Sequence, residues 1–88
     1  EKVSNMKNLS ISNHVRTLRF HQDEMTQKDL AQKVGVSRQT IVAIEKGQYS
    51  PTLELCFKLA IVFETTIDEI FTVDAIDGKK WKKPENEE

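Results

Sequence analysis

An all-α domain of five short helices is the fold class this sequence predicts, and three observations carry the prediction. Apolar residues recur at helical spacing in successive segments: Val15 and Leu18, then Leu30, Ala31 and Val34, then Ile41 and Ile44. Thr26, Ser37, Thr52 and Thr66 stand where helices would start, while Gly35 and Gly47 stand where helices would end. The 88 residues suffice for one small helical core and not for a second. From Phe71 a strand-like pattern replaces the helical one, leaving room for a short C-terminal β-strand or hairpin.

Glu1 to Asn8 show no periodicity, so residues 1–8 are expected to be a flexible N-terminal segment; Met6 is a candidate natural first residue. Asn8-Leu9-Ser10-Ile11 alternates weakly, a pattern open to a short extended segment. The first helix is expected from Ser12 to about Gln22, with Val15 and Leu18 inward and Phe20 partly covered. Asp23-Glu24 ends it, and Met25 anchors the entry to the second helix in the manner of a hydrophobic staple.

The stretch from Thr26 to Gly47, TQKDLAQKVGVSRQTIVAIEKG, organises the rest. Thr26 with Asp29 forms a capping-box start, and Gln27 is the first helical residue. Gly35 supplies the left-handed residue that ends this helix, Val36 plugs the turn, and Ser37 caps the next helix. Two short helices joined by such a turn allow the second to enter the DNA major groove. Arg38, Gln39 and Thr40 make its first turn, with Ala43 one turn further along the same side. A guanidinium fits guanine O6/N7 or a phosphate, and a glutamine amide matches adenine N6/N7. The helix start adds free amides and a positive dipole end. On an arbitrary helix Arg38 and Gln39 would be ordinary solvated residues; the surrounding frame favours DNA contact.

Beyond Gly47, the loop Gln48-Tyr49-Ser50-Pro51 is placed to approach the DNA backbone, so the Gln48 amide and Tyr49 hydroxyl are candidate phosphate contacts. The Tyr49 ring could equally pack on the domain. Pro51 stops the third helix and Thr52 caps the fourth. Leu53, Cys56, Phe57, Leu59, Ala60 and Phe63 are expected to form the inward face of the fourth helix. Thr66 with Glu69 reads as a capping box for a short fifth helix, whose Ile67 and Ile70, with Phe71, close the core.

The remaining tail has two readings. A strand to about Ile76, an Asp77-Gly78 turn and a return over Lys79–Lys83 would make a hairpin, which needs a partner surface such as a second copy of the chain. Alternatively, Gly78 to Glu88 is a charged, disordered end, as is expected in either case after Lys83.

Composition narrows the function classes. The net charge of −1 conceals a division: residues 14–50 carry six positive and four negative groups (+2), whereas residues 64–88 carry four lysines against eight carboxylates (−4). The acid lies away from the reading helix, and the modest basic surplus argues against strong non-specific affinity from one copy. No apolar run approaches membrane-spanning length, and no secretory signal is recognised, so a cytoplasmic location without membrane association is expected. Cys56, the only cysteine, rules out an internal disulfide and a cysteine-rich zinc site, and a small buried side chain is its expected role. His14 and His21 lie seven residues apart, too far to share an ion unaided, so no metal site is expected. Neither a glycine-rich phosphate loop nor a nucleophile with a matched base is recognisable, so no catalytic residue, enzymatic activity or cofactor is expected.

From about Ile11 to Phe71 the chain resembles the phage repressor and Cro type of helix-turn-helix, also called the xenobiotic-response-element family. The resemblance rests on Leu18-Arg19, TQKDLAQKVGVSRQTI, IEKG at Ile44–Gly47, SPTLELCFKLA and TIDEIF. It implies a compact lambda-repressor-like domain, here assigned to residues 9–71, with 72–88 as strand and charged tail. By position, it implies that Gln27 contacts phosphate and that Arg38, Gln39, Thr40 and Ala43 face base edges or flanking backbone. Ala43 departs from the long polar side chain of some members, leaving at most a methyl contact to thymine there. The resemblance further implies a buried ion pair between Arg19 and Glu45, both on the inward sides of their helices.

The resulting expectation is a transcriptional regulator, a repressor by preference, binding a palindromic operator in double-stranded DNA as a homodimer. Ser37, Arg38, Gln39, Thr40 and Ala43 form the reading turn, with Gln27, Lys46, Gln48 and Tyr49 on the backbone. The dimer seam is expected at the C-terminal half of the fifth helix and the following strand. Two alternatives stand beside this reading. One is an antitoxin that also binds a toxin protein, which co-purification of a small partner would reveal. The other is a protein-interaction module on the same fold, which a salt-dependent duplex shift would exclude.

Overall fold

The computed structural model describes residues 5–84 and contains, in order, β1 (Leu9–Asn13), α1 (Val15–Phe20), α2 (Gln27–Val34), α3 (Arg38–Glu45), α4 (Leu53–Phe63), α5 (Ile67–Ile70), β2 (Phe71–Ile76) and β3 (Lys79–Lys80). Five helices form as the spacing predicts, but the domain is not purely α-helical. A three-stranded antiparallel sheet in the order β1-β2-β3 joins the two ends of the described chain.

The first helix is shorter than expected because the residues before it are taken by this sheet. Residues 9–13 pair with 71–76, from Leu9 opposite Ile76 to Asn13 opposite Phe71, with a bulge where Ser10 gives way to Ile11. The His14 N–H donates to the Ile70 carbonyl at 2.8 Å, and Asn13 Oδ1 accepts from the Val15 N–H at 3.2 Å, so the chain turns from strand to helix there. The tail strand therefore finds its partner in the same chain, and the sheet crosses the expected division at 71/72.

Asp77 and Gly78, at φ +50° and +82°, form the turn to β3, the paired positive values that a tight two-residue hairpin requires. Asp77 Oδ1 also accepts the Asn8 N–H at 2.8 Å, closing the end of β1. The return strand is only Lys79–Lys80 long, followed by one bond from the Trp81 N–H to the Asp74 carbonyl at 3.0 Å. Lys83 then folds back onto Asp68 of α5. This contact holds the Asp68 carboxyl at about 2, well below the usual carboxylate range. The expectation of a disordered end falls mostly on residues 85–88, outside the described residues, as do residues 1–4 of the expected flexible start.

Around Leu30, Ile41, Ile44 and Leu59, all essentially without solvent contact, the core gathers one stripe from each helix. Val15 of α1, Ala31 and Val34 of α2 and Ile70 of α5 complete it, and Met25 is buried at the entry to α2. Phe20 is an exception to expectation, standing 65% exposed at the end of α1. In α4 the buried stripe is Leu55, Leu59, Ala60 and Phe63, whereas Leu53 (69% exposed), Phe57 (54%) and Ile61 (74%) face outward. Residues two apart on a helix point roughly 200° from one another, so burying Leu55 turns Leu53 and Phe57 away.

Thr52 caps α4 through its hydroxyl, which accepts the Leu55 N–H at 3.2 Å. Thr66 makes no such cap at α5; its hydroxyl donates instead to Asp68 Oδ1 at 2.6 Å, so the expected capping box with Glu69 is absent. Ile70 is fully buried and β2 contributes half-buried apolar residues, while the open apolar side chains include Leu53, Phe57 and Ile61 of α4, Leu9 and Ile11 of β1, Phe20 of α1 and Tyr49 after α3. No helix among the described residues is long and apolar enough to cross a membrane.

Candidate nucleic-acid interface

The turn between α2 and α3 is set by three local devices. Thr26 Oγ1 accepts the Asp29 N–H at 2.9 Å while Asp29 Oδ2 accepts the Thr26 N–H at 3.4 Å, a complete capping box at the start of α2. Gly35 sits at φ +76°, ψ 34°, and the following Val36 N–H reaches back to the Ala31 carbonyl at 3.0 Å. A side chain at Gly35 would meet no neighbour, so the backbone angle is what favours glycine there. Ser37 is extended (φ −77°, ψ 158°), and its Oγ accepts the Thr40 N–H at 3.2 Å, opening α3.

This frame leaves Arg38 and Gln39 exposed, and among the described residues neither side chain has a hydrogen-bond or ion-pair partner. Ser37 is exposed as well, whereas Thr40 is half-buried with its hydroxyl 3.1 Å from Ser37 Oγ. Ala43 is also half-buried rather than open, so the reading side narrows toward the C-terminal half of α3. First-turn amides and the positive end of the helix dipole add to the field that Arg38 presents to an anion.

Below the reading turn, an ion pair locks α3 against α1. Arg19 Nε donates to Glu45 Oε2 at 2.6 Å and Arg19 Nη2 to Glu45 Oε1 at 3.2 Å, with side-chain exposures of only 12% and 9%. Arg19 Nη1 also donates to the Met25 carbonyl at 2.7 Å. Gln27 joins the same network, its Nε2 donating to Glu45 Oε1 at 3.1 Å. One face of the Gln27 amide is therefore engaged internally, leaving its oxygen and second N–H for an outside partner.

Arg16, Arg19, Gln27, Val42, Glu45 and Lys46 line one open cleft beside α3. Arg16 and Lys46 are exposed on it, giving two cations near Gln27. Arg16 escaped the sequence reading because only the assembled cleft brings α1 beside α3. Asn13 escaped it for a similar reason: its Nδ2 donates to the Ile44 carbonyl at 2.9 Å, bracing the end of α3 from β1.

Gln48 and Tyr49 are exposed just beyond Gly47, which takes φ +73°. The Tyr49 ring lines an apolar crevice with Ile11, Pro51 and Phe71. Cys56 lies in the same crevice, half-buried rather than fully enclosed, and burial raises its thiol pKa. His14 and His21 are both exposed, and among the described residues no group of three or more His, Cys, Asp or Glu is placed to hold a metal ion.

Comparison with known proteins places this geometry in a family. The helix-turn-helix family model HTH_3 matches residues 17–70, which include α2, the turn and α3. An uncharacterised HTH-type transcriptional regulator of Methanocaldococcus jannaschii is 62% identical over 47 residues, covering 53% of this chain and 71% of the relative. The cryptic phage CTXphi transcriptional repressor RstR of Vibrio cholerae is 39% identical over 59 residues, covering 67% of this chain and 52% of the repressor. A crystal structure of a Bacteroides fragilis protein superposes with a TM-score of 0.62 at 19% identity, over 72% of this chain and all of the other, and so shares the fold. The chain belongs to the HTH_3 helix-turn-helix family.

Proposed function

We propose that this protein is a cytoplasmic, sequence-specific DNA-binding transcriptional regulator, a repressor by preference, that binds a palindromic operator as a homodimer. The observation that carries the reading is the pair Arg38 and Gln39, open at the first turn of α3 while every device around them is internally satisfied. Residues 9–71 form the DNA-binding unit, and the strands after them brace it. Arg38 and Gln39 read base edges; Ser37, Thr40 and Ala43 shape the contact around them. Gln27, Lys46, Gln48 and Tyr49 hold the phosphate backbone, with Arg16 added by its place in the cleft. A repressor among the relatives favours that direction of regulation. No metal, cofactor or catalytic group is needed for this activity.

The mechanism is occupancy. Lysine and arginine contacts draw the domain to the duplex and release condensed counterions, which makes affinity fall with salt. Register on the backbone then presents Arg38 and Gln39 to the base edges, where each two-pronged contact discriminates by about 1–3 kcal/mol. Two copies, with reading helices roughly 34 Å apart, address successive major-groove faces. Their joint binding exceeds that of one copy through local concentration.

A binding titration of selected and random duplexes at several salt concentrations tests the reading. Wild-type protein should prefer the selected duplex. The Arg38→Ala/Gln39→Ala variant should lose that preference, retain salt-dependent general binding and unfold at the wild-type midpoint. Undiminished preference in the variant would refute the assignment.

A further inference from the structure

Four of the eight large apolar side chains exposed among the described residues line two adjoining crevices, and two more stand on the same elements beside them. Ile11 and Tyr49 line the first, with Cys56, Ile67 and Phe71. Ile67 also borders the second, lined by Phe57, Ala60 and Ile61. Leu53 stands one turn before Phe57 on α4, and Leu9 two residues before Ile11 on the same face of β1. The result is a continuous apolar face running from the sheet, past the loop after α3, to the outer side of α4.

We propose that this face is where two copies of the chain associate, with α4 of one copy crossing α4 of the other antiparallel near Phe57. The inference rests on the reading of a paired regulator and names the surface that does the pairing. Size supports it. Six half-open apolar side chains expose on the order of 500 Å², toward the upper end of what a lone domain carries. With a polar rim, this approaches the roughly 800 Å² per partner of a standard interface.

Shape and charge point to a second copy as the occupant. Leu53, Phe57 and Ile61 follow one another at i, i+4 and i+8, the ridge that packs between the equivalent ridges of another helix. Glu54 and Lys58 lie on one flank of this ridge, both well exposed and 3.6 Å apart. Two-fold antiparallel packing sets each flank against its own counterpart, so Glu54 of each copy comes beside Lys58 of the other. The opposite flank, toward Ala60 and Ile67, then meets the same apolar surface. Such self-complementarity closes a dimer and leaves no open end.

Sedimentation of the full chain over a concentration series tests the surface. Wild-type protein should approach the mass of two chains. Phe57→Glu and Ile61→Lys should each reduce it to one, with helical content and unfolding midpoint retained. Phe20→Glu, equally open but off this face, should remain paired. Glu54→Lys should weaken pairing, and Glu54→Lys with Lys58→Glu should restore it. A wild-type mass of one chain throughout, or a Phe57→Glu variant that stays paired, would overturn the proposal. Titration of a half-site duplex separates the two readings, because it reports on Arg38 and Gln39 without pairing. Loss of pairing with half-site binding intact supports the surface, whereas paired protein that binds no duplex would overturn only the DNA reading.

Discussion

Helices α2 and α4 solve the same packing problem with different amounts of apolar residue. In α2, QKDLAQKV, three apolar side chains form one stripe, and all are buried: Leu30, Ala31 and Val34. In α4, LELCFKLAIVF, apolar residues occur on nearly every side, and only Leu55, Leu59, Ala60 and Phe63 are buried. The polar residues of α2 dictate its orientation, since turning it would put Lys28, Asp29 or Lys33 inside. In α4 only Glu54 and Lys58 impose such a penalty, holding one side outward, so the apolar surplus beside them is left on the surface, where it can serve another body. One half of the molecule is thus specified chiefly by its polar residues to present Arg38 and Gln39; the other is specified chiefly by packing.

The largest expected effect lies on the polar side of this comparison. Arg19→Ala should lower stability by about 3–5 kcal/mol, because it strands the nearly enclosed Glu45 carboxylate. Arg16→Ala, on an exposed side chain, should stay within about 0.5 kcal/mol. Chemical denaturation of both variants makes the check, and equal midpoints would break the distinction. On the apolar side, Leu59→Ala should cost about 2–5 kcal/mol as a cavity in the core. Phe57→Ala should cost little in a monomeric background, for instance combined with Ile61→Lys, since the ring is more than half exposed. Comparable losses at the two positions would mean that both stripes of α4 pack inward.

Smaller effects sharpen the contrast between caps. Ser37→Ala should destabilise by about 1 kcal/mol through loss of the bond to the Thr40 N–H. Thr66→Ala, where no such bond exists, should change the thermal midpoint less. The smallest effect belongs to the tail. The Lys83 ammonium holds the Asp68 carboxyl at about 2 against an ordinary 3.8. Its contribution is therefore present above pH 3.8 and lost as pH falls through 2. Asp68→Asn should lower the midpoint slightly at neutral pH, with the difference from wild type vanishing toward pH 2.

What could be read in advance divides along the same line. The capping box at Thr26, the left-handed Gly35, the serine cap and the inward stripes of α2 and α3 each involve residues within five positions, and local pattern carries them. The sheet depends on partners at opposite ends of the chain, such as Leu9 with Ile76, and nothing near Leu9 names that partner. The early end expected for extended structure follows: Ser12 looks like a helix cap until Thr72 pairs with it. Phe20, Leu53 and Phe57 look like core residues by type, but their exposure is decided by the orientation of whole helices. At the interface, Arg38 and Gln39 are legible because they follow a cap and occupy a first turn. The engagement of Gln27 by Glu45, and Arg16 beside Lys46, become visible only when α1, α2 and α3 are assembled.

The most direct measurement is selection of bound duplexes from a random pool by wild-type protein and by the Arg38→Ala/Gln39→Ala variant in parallel. The account predicts that wild-type protein enriches an inverted repeat with half-site centres about one helical turn apart. The variant should enrich nothing above the starting pool. A common motif recovered by both proteins, or none recovered by wild type at low salt, would contradict the claim that the opening turn of α3 reads DNA.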